Sequence, residues 1–342
     1  MNFLPKLWNS IKNFLLATCF IAVIVAGGWA AYIYDSSKKP QTAEKQLIVE
    51  GDNALNVGRY NDAKRIFDAE LKANPQNKQA AWGLQLAQLH DALGQADFKE
   101  SIDAPYRKAP NDAHLNLFLG EYYAAHKQPE LARRHFQQAI TANPKLAEAH
   151  YKMAMLHEKL GNLGQAKVEI LIALDIAPLA KYRNKLGATQ FKQQHYEEAI
   201  KEFGRNKEYP LSALESSKIY WRLEYLSQAL SYQKQAVEWL EEPSIMAKPD
   251  NQEAWHFEIP PEQQIVLAKL NEKKSYAYYC VSISLFLQGD SEGADAEVKK
   301  QLELKVTSPA AIRALLNADL DALVTANGNL KSQADAYKKL YL

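Results

Sequence analysis

The sequence is nearly without cysteine. Cys19 and Cys280 are the only two in 342 residues, too few for a disulfide-stapled scaffold or a four-cysteine zinc site. A surplus of charge is also missing: Lys plus Arg number 41 and Asp plus Glu 40, a formal charge of +1. Nucleic-acid binding draws on excess cations that displace phosphate counterions, so there is no electrostatic case for a nucleic-acid partner. Glycine and proline, 14 each, are too sparse for collagen-like or low-complexity sequence. No phosphate-binding glycine loop, G-x-S-x-G elbow, H-E-x-x-H or C-x-x-C occurs. No cofactor is implied, and nothing marks an enzyme. The carboxylate pairs Glu100/Asp103, Asp295/Glu297 and Glu241/Glu242 read as solvated helix surface. His150 and His157, seven apart, could share a helix face as a metal-ligand pair, but a surface or groove role fits them better.

What is present begins near the N-terminus. Phe14 to Tyr34 carries no charge over 21 positions. As a helix this run would be roughly 32 Å long, enough for a hydrocarbon core of about 30 Å. Trp8 lies before it, and Trp29, Tyr32 and Tyr34 sit at its end, where amphipathic rings favour the lipid boundary. We read residues 1–13 as a flank, 14–34 as a transmembrane signal-anchor and 35–43 as a linker. The competing readings are a buried helix and a signal cleaved near Ala26-Gly27-Gly28, although signal cores usually run only about 7–15 residues. A short basic N-terminus before one apolar helix is the usual form of an exported signal-anchor protein. The expected localisation is therefore a single-pass bacterial inner-membrane protein, N-terminus cytoplasmic and large domain periplasmic.

The next feature is a repeat. Pro75, Pro110, Pro144 and Pro178 are spaced by 35, 34 and 34 residues. Bulky apolar residues at Phe67, Ile102, Phe136, Ile170 and Phe203 follow at 35, 34, 34 and 33. Small residues recur at Ala63, Ala132, Ala166 and Ala199, with Phe98 in the second place. Another small set is Gly51, Gly120, Ala154 and Gly187, with Leu86 in the second place. Ladders with one shared period indicate a supersecondary unit stacked on itself.

The clearest unit reads Leu119-Gly120-x-x-Tyr123, Ala132-x-x-x-Phe136-x-x-Ala139 and Pro144. It resembles the tetratricopeptide repeat at every signature position except the first tryptophan, where Asn116 stands. The resemblance covers five units in residues 44–213. It implies paired antiparallel helices in which Gly or Ala lets the axes approach, Phe or Ile fills the gap, and Pro ends the second helix. One hairpin cannot bury its apolar face alone, so neighbours share a core. The second unit, with Phe98 and Pro105 in place of small residues, should have a displaced or shortened second helix. Residues 214–307 read as degenerate helical repeats interrupted by an irregular insertion at 241–261, where Pro243, Pro249, Pro260 and Pro261 cluster. Ser308-Pro309 looks like a helix start, and 308–342 should be capping helices. The expected fold class is all-α: a transmembrane helix, then a right-handed α-solenoid of tetratricopeptide type with a degenerate C-terminal part and cap.

The resemblance also implies an exposed inner face formed by the first helix of each unit. Its positions here are Lys45 and Asp52; His114, Leu117 and Glu121; Glu148, Tyr151 and Met155; Lys181, Asn184 and Ala188. A subtype that grips a C-terminal carboxylate is disfavoured, because Ile48 and Asp52 stand where it carries Lys and Asn. Trp255 and Phe257 of the insertion are candidate anchors for a partner, since Trp is enriched in interface hot spots; alternatively Trp255 plugs the insertion onto the helices. Cys280, in an apolar context, reads as a buried thiol. The implied function is a membrane-anchored scaffold that binds a protein partner, a peptide or helix in a concave groove, as an accessory or assembly factor of an envelope complex. The lipid bilayer would be met through 14–34. The alternatives are a permanent structural subunit of a large membrane assembly, or an enzyme whose catalytic region lies in 214–342.

Overall fold

A computed structural model describes residues 45–259 and 263–342. The expected membrane anchor at 14–34 lies outside the described residues. Among those described, no helix is long and apolar enough to cross a membrane. The chain forms two compact units, one ending at Tyr122 and the other starting at Tyr123.

The first unit holds α1 (residues 45–56), α2 (Tyr60–Ala73), α3 (Lys78–Asp91), α4 (Phe98–Lys108) and most of α5 (Ala113–Ala125). Phe67 on α2 is fully buried. Its ring sits where a Cβ on Gly51 of α1, or on Gly83 of α3, would overlap it. The small partner in the second repeat is thus Gly83, not Leu86 three residues later. Asn77 starts α3 by accepting the Gln79 and Ala80 N–H groups, one of the donors' usual remedies at a helix start. The α4 helix is shortened, 11 residues against 14 for α2. Phe98, Ile102 and Pro105 form its buried face.

The second unit continues with α6 (Pro129–Ala142), α7 (Ala147–Lys159), α8 (Leu163–Ile176), α9 (Ala180–Lys192), α10 (Tyr196–Gly204), α11 (Pro210–Arg222) and α12 (Leu226–Glu241). Phe136, Ile170 and Phe203 are buried, as the ladder requires. Gly187 allows a close approach: a Cβ there would lie 2.6 Å from the Phe203 ring. Two helices, α11 and α12, form a further hairpin, so the expected change of character at 213/214 falls inside α11. Its turn resembles the others. Gly58, Gly161 and Gly289 have φ of 75°, 76° and 88°, and Lys127, Gln194 and Glu224 hold the equivalent turns at 56°, 63° and 62°. Lacking glycine there, the sequence hides the common turn.

After α12 come the short helices α13 (Pro243–Met246) and α14 (Pro249–Gln252), then β1 (Trp255–Ile259) and β2 (Gln263–Leu267). The strands pair antiparallel, with Trp255 opposite Leu267 and Phe257 opposite Ile265. The fold is thus mostly helical with one two-stranded ribbon, and among the described residues the insertion expected to be irregular contains α13, α14 and β1. Trp255, Ile259, Ile265 and Leu267 are buried, giving the ribbon one apolar face, as period-2 patterning demands. The chain ends with α15 (Leu270–Leu287), α16 (Ser291–Leu302), α17 (Pro309–Ala326) and α18 (Lys331–Tyr341). Proline opens α6, α11, α13, α14 and α17, where its missing N–H costs nothing. Trp221, Leu240, Trp255, Tyr276, Leu316 and Tyr337 share one core.

Candidate protein-binding faces

In the first unit the inner-face candidates have mixed fates. Lys45 is exposed and Asp52 half-buried. Asp52 accepts a hydrogen bond from Gln79 Nε2 at 2.9 Å, and burial raises its carboxyl above the usual range despite that bond. Burial pushes the His114 imidazole down, and its Nε2 has no hydrogen-bond partner among the described residues. Glu121 is half-buried. Leu117 is fully buried, so it is a core residue and not an exposed contact; its position on α5 packs inward with Leu115 and Phe118.

In the second unit Glu148, Tyr151 and Lys181 are brought together, but as links within the protein. The buried Glu148 carboxylate lies 3.0 Å from Lys181 Nζ and 3.6 Å from Lys152 Nζ. Tyr182 donates its hydroxyl to the same carboxylate at 3.1 Å. Burial alone would raise Glu148; Lys181, Lys152 and these hydrogen bonds hold it below the ordinary carboxylate range. Lys181 Nζ also lies 5.2 Å from the Tyr182 ring and 5.9 Å from that of Tyr151, both within cation–π range. Asn184 accepts from Ser212 Oγ at 2.8 Å. Met155 and Ala188 are half-buried. Farther along the same two helices the pattern recurs: Glu158 of α7 pairs with Lys185 at 2.5 Å and with Lys192, both on α9, and is held low against burial by both. Because Lys181 and Lys185 are committed to these glutamates, they are poorly placed to clamp a carboxylate terminus.

The insertion reaches the same cluster. Glu253 lies 3.4 Å from Lys181 Nζ, and Asp250 accepts the Ala180 N–H at 3.2 Å. Burial, with Glu148 and Asp250 nearby, raises Glu253 even though Lys181 opposes this. Lys273 on α15 donates to the carbonyls of Asn251 at 3.0 Å and Glu253 at 2.5 Å, and lies 5.3 Å from the Trp255 ring. Burial pushes Lys273 down to about 8. Trp255 is 2% exposed, so it plugs the insertion onto the helices and cannot anchor a partner as well. Phe257 is half-buried against Tyr276, ring centres 5.5 Å apart. Sequence spacing could have flagged Glu148 and Lys181, 33 positions apart; no spacing rule points to Glu253 or Lys273.

The C-terminal region contains a compact ionisable cluster. Lys218 lies 3.2 Å from Asp319 and 3.3 Å from Glu215, and Tyr276 donates to Asp319 at 2.5 Å. Burial would lower Lys218, but the two acids raise it. Burial pushes the Cys280 thiol up, away from the thiolate that a nucleophile needs. These groups tie α11, α15 and α17 together. His150 bonds Glu169 at 2.6 Å, and among the described residues no cluster of three or more His, Cys, Asp or Glu could hold a metal.

Residues 48–91 and 117–178 match the family of the tetratricopeptide repeat. Over those residues the chain is similar to tetratricopeptide repeats. No curated protein matches it. Among solved structures, a chain of the APC/C hetero-tetramer Cut9–Hcn1 is 15% identical with a TM-score of 0.53, over 86% of this chain and 55% of that one. The present protein thus spans about half the length of that relative. PilW, described as a widely conserved type IV pilus biogenesis factor, is 16% identical with a TM-score of 0.46, over 64% of this chain and 90% of its own. A thermophilic tetratricopeptide protein of Thermus thermophilus, TTC0263, is 21% identical with a TM-score of 0.36, over 58% and 98%. At 15% identity the likeness to the first of these shows the fold alone: a mostly helical protein resembling tetratricopeptide-repeat solenoids.

Proposed function

We propose that this protein is a non-enzymatic scaffold, held at a membrane by residues 14–34, whose tetratricopeptide repeats bind a protein partner. The observation that supports it best is the repeat architecture, because stacked hairpins offer extended surfaces suited to a peptide or a helix. The cluster in the C-terminal region favours this reading over the enzyme alternative: its lysine and acids are spent on one another, and its thiol is buried. Binding without turnover is the mechanism, with the large domain on the periplasmic side and a role as an accessory or assembly factor of an envelope complex.

The test separates the two parts. Full-length protein should remain in the membrane fraction after a high-salt and alkaline wash, and a variant lacking residues 1–43 should be released. Chemical crosslinking in native membranes before mild-detergent extraction should join the full chain to a protein through lysines of the repeats. Release of the full chain by the wash would remove the anchor. Crosslinks confined to residues 1–43 would remove the scaffold.

A further inference from the structure

The face of α8 opposite its core differs from its neighbours. The helix buries Ala166, Ile170 and Ala173. Its other side presents Val168, Leu171 and Ile172, exposed by 56%, 46% and 38%. One repeat earlier, on α6, the equivalent positions are Arg134, Gln137 and Gln138, all exposed. One repeat later, at the end of α10, they are Lys201, Gly204 and Arg205. Water-facing positions that are polar or glycine in the two flanking repeats are thus aliphatic in this one, at a spacing that forms one continuous helical stripe. Lone exposed apolar residues need no explanation, but a contiguous set does.

The charges at the ends of the stripe say what fits it. Lys167 precedes it and Asp175 follows it, each four positions from Leu171. Neither makes an ion pair among the described residues. When two copies of α8 lie antiparallel about a two-fold axis at Leu171, residue i meets residue 342 minus i. Lys167 of one copy then meets Asp175 of the other, twice, each about 6 Å along the helix from the axis. The aliphatic residues face one another between these pairs. Such a surface is self-complementary, as an isologous interface must be.

We propose that the α8 stripe is a homodimer contact, two copies packing antiparallel through Val168, Leu171 and Ile172 with Lys167 paired to Asp175 at both ends. One helix face is small beside the surface a tight complex buries, so the association is weak and reversible. The inference does not depend on a membrane anchor or on what the repeats bind.

The experiment uses the full chain in a mild detergent and follows mass by sedimentation, with the bound detergent accounted for. The wild type should self-associate at concentrations of order 100 μM or below, the range of weak contacts. Leu171→Asp should weaken this at least about tenfold by placing a charge in the apolar stripe. Lys167→Asp should weaken it roughly fivefold, and adding Asp175→Lys should restore it, because the swap rebuilds both ion pairs. All these positions lie on the helix surface, so unchanged helical dichroism is expected. With Cys19 replaced by Ser, Leu171→Cys should form a disulfide dimer on mild oxidation. A strictly monomeric wild type would overturn the proposal. So would association indifferent to Leu171→Asp, a charge swap that fails to restore it, or a stripe that binds lipid vesicles without any self-association.

Discussion

Glu148 on α7 and Lys181 on α9 meet at 3.0 Å across adjacent hairpins, and Glu253 of the insertion approaches the same ammonium at 3.4 Å. One lysine thus joins two successive repeats and the segment just before the β-ribbon.

Removing the buried acid should be costly. Glu148→Gln leaves Lys181 without its nearest counter-charge, and breaking a buried pair from one side costs about 3 kcal/mol. Urea unfolding at neutral pH measures it. The pH dependence gives an independent check. Glu148 and Glu158 are held below their ordinary values, so their contribution is present above about pH 4.5 and lost as pH falls through their folded values. Glu253 is raised, so its contribution runs the other way, present at low pH and lost as pH rises through its folded value. Glu148→Gln should flatten the acid limb of the stability curve.

Lys273 gives an alkaline signature. Its folded value is about 8, against about 10.4 for an unperturbed lysine. Between these values the folded protein binds fewer protons than the unfolded chain, so stability should rise with pH across that window. In Lys273→Met this rise should be smaller, and total stability lower, because the carbonyls of Asn251 and Glu253 lose a donor. Unfolding curves from pH 7.5 to about 10 compare the two.

Close approach in the repeat core can be tested at one methyl group. Gly187→Ala places a Cβ where only 2.6 Å separates it from the Phe203 ring. Overpacking of this kind costs about 1–3 kcal/mol. The midpoint of thermal unfolding should fall, and the second change Phe203→Leu should recover part of it.

The turns predict a gain. Gln194 holds a left-handed conformation with φ of 63°, which costs a non-glycine residue about 1 kcal/mol or more. Gln194→Gly should stabilise the protein by about 0.5–1 kcal/mol, after the entropy that glycine loses. An equal change at a right-handed position such as Lys201 on α10 should destabilise.

These turns also explain what could be read in advance. The ladders through Phe67, Phe136 and Phe203 were legible because each position has one physical job, filling the gap between two helices. The α11–α12 hairpin was not, since Glu224 stands where glycine would have announced the turn. Nor was the β-ribbon. Trp255-His256-Phe257-Glu258-Ile259 alternates in the manner of a strand, but four prolines around it pointed to irregular chain. Of the inner-face positions, Glu148, Tyr151 and Lys181 do converge, while Asn184 bonds Ser212. Family position alone could not show that their bonds close inward, because Glu253 and Ser212 come from elements distant in sequence. Leu117 was misplaced for a similar reason: helix α5 buries Leu115 through Gly120 without a break, so periodicity does not separate its faces.

The central claim, that the repeats bind a protein through their inner faces, is tested most directly by site-specific photocrosslinking in native membranes. Probes replace Met155 on α7 and Ala188 on α9, with controls at Arg65 on α2 and Lys201 on α10. A discrete protein adduct at Met155 or Ala188, absent at both controls, is the expected result. Adducts only at the control positions, or none at any of the four while the protein remains folded, would contradict the account.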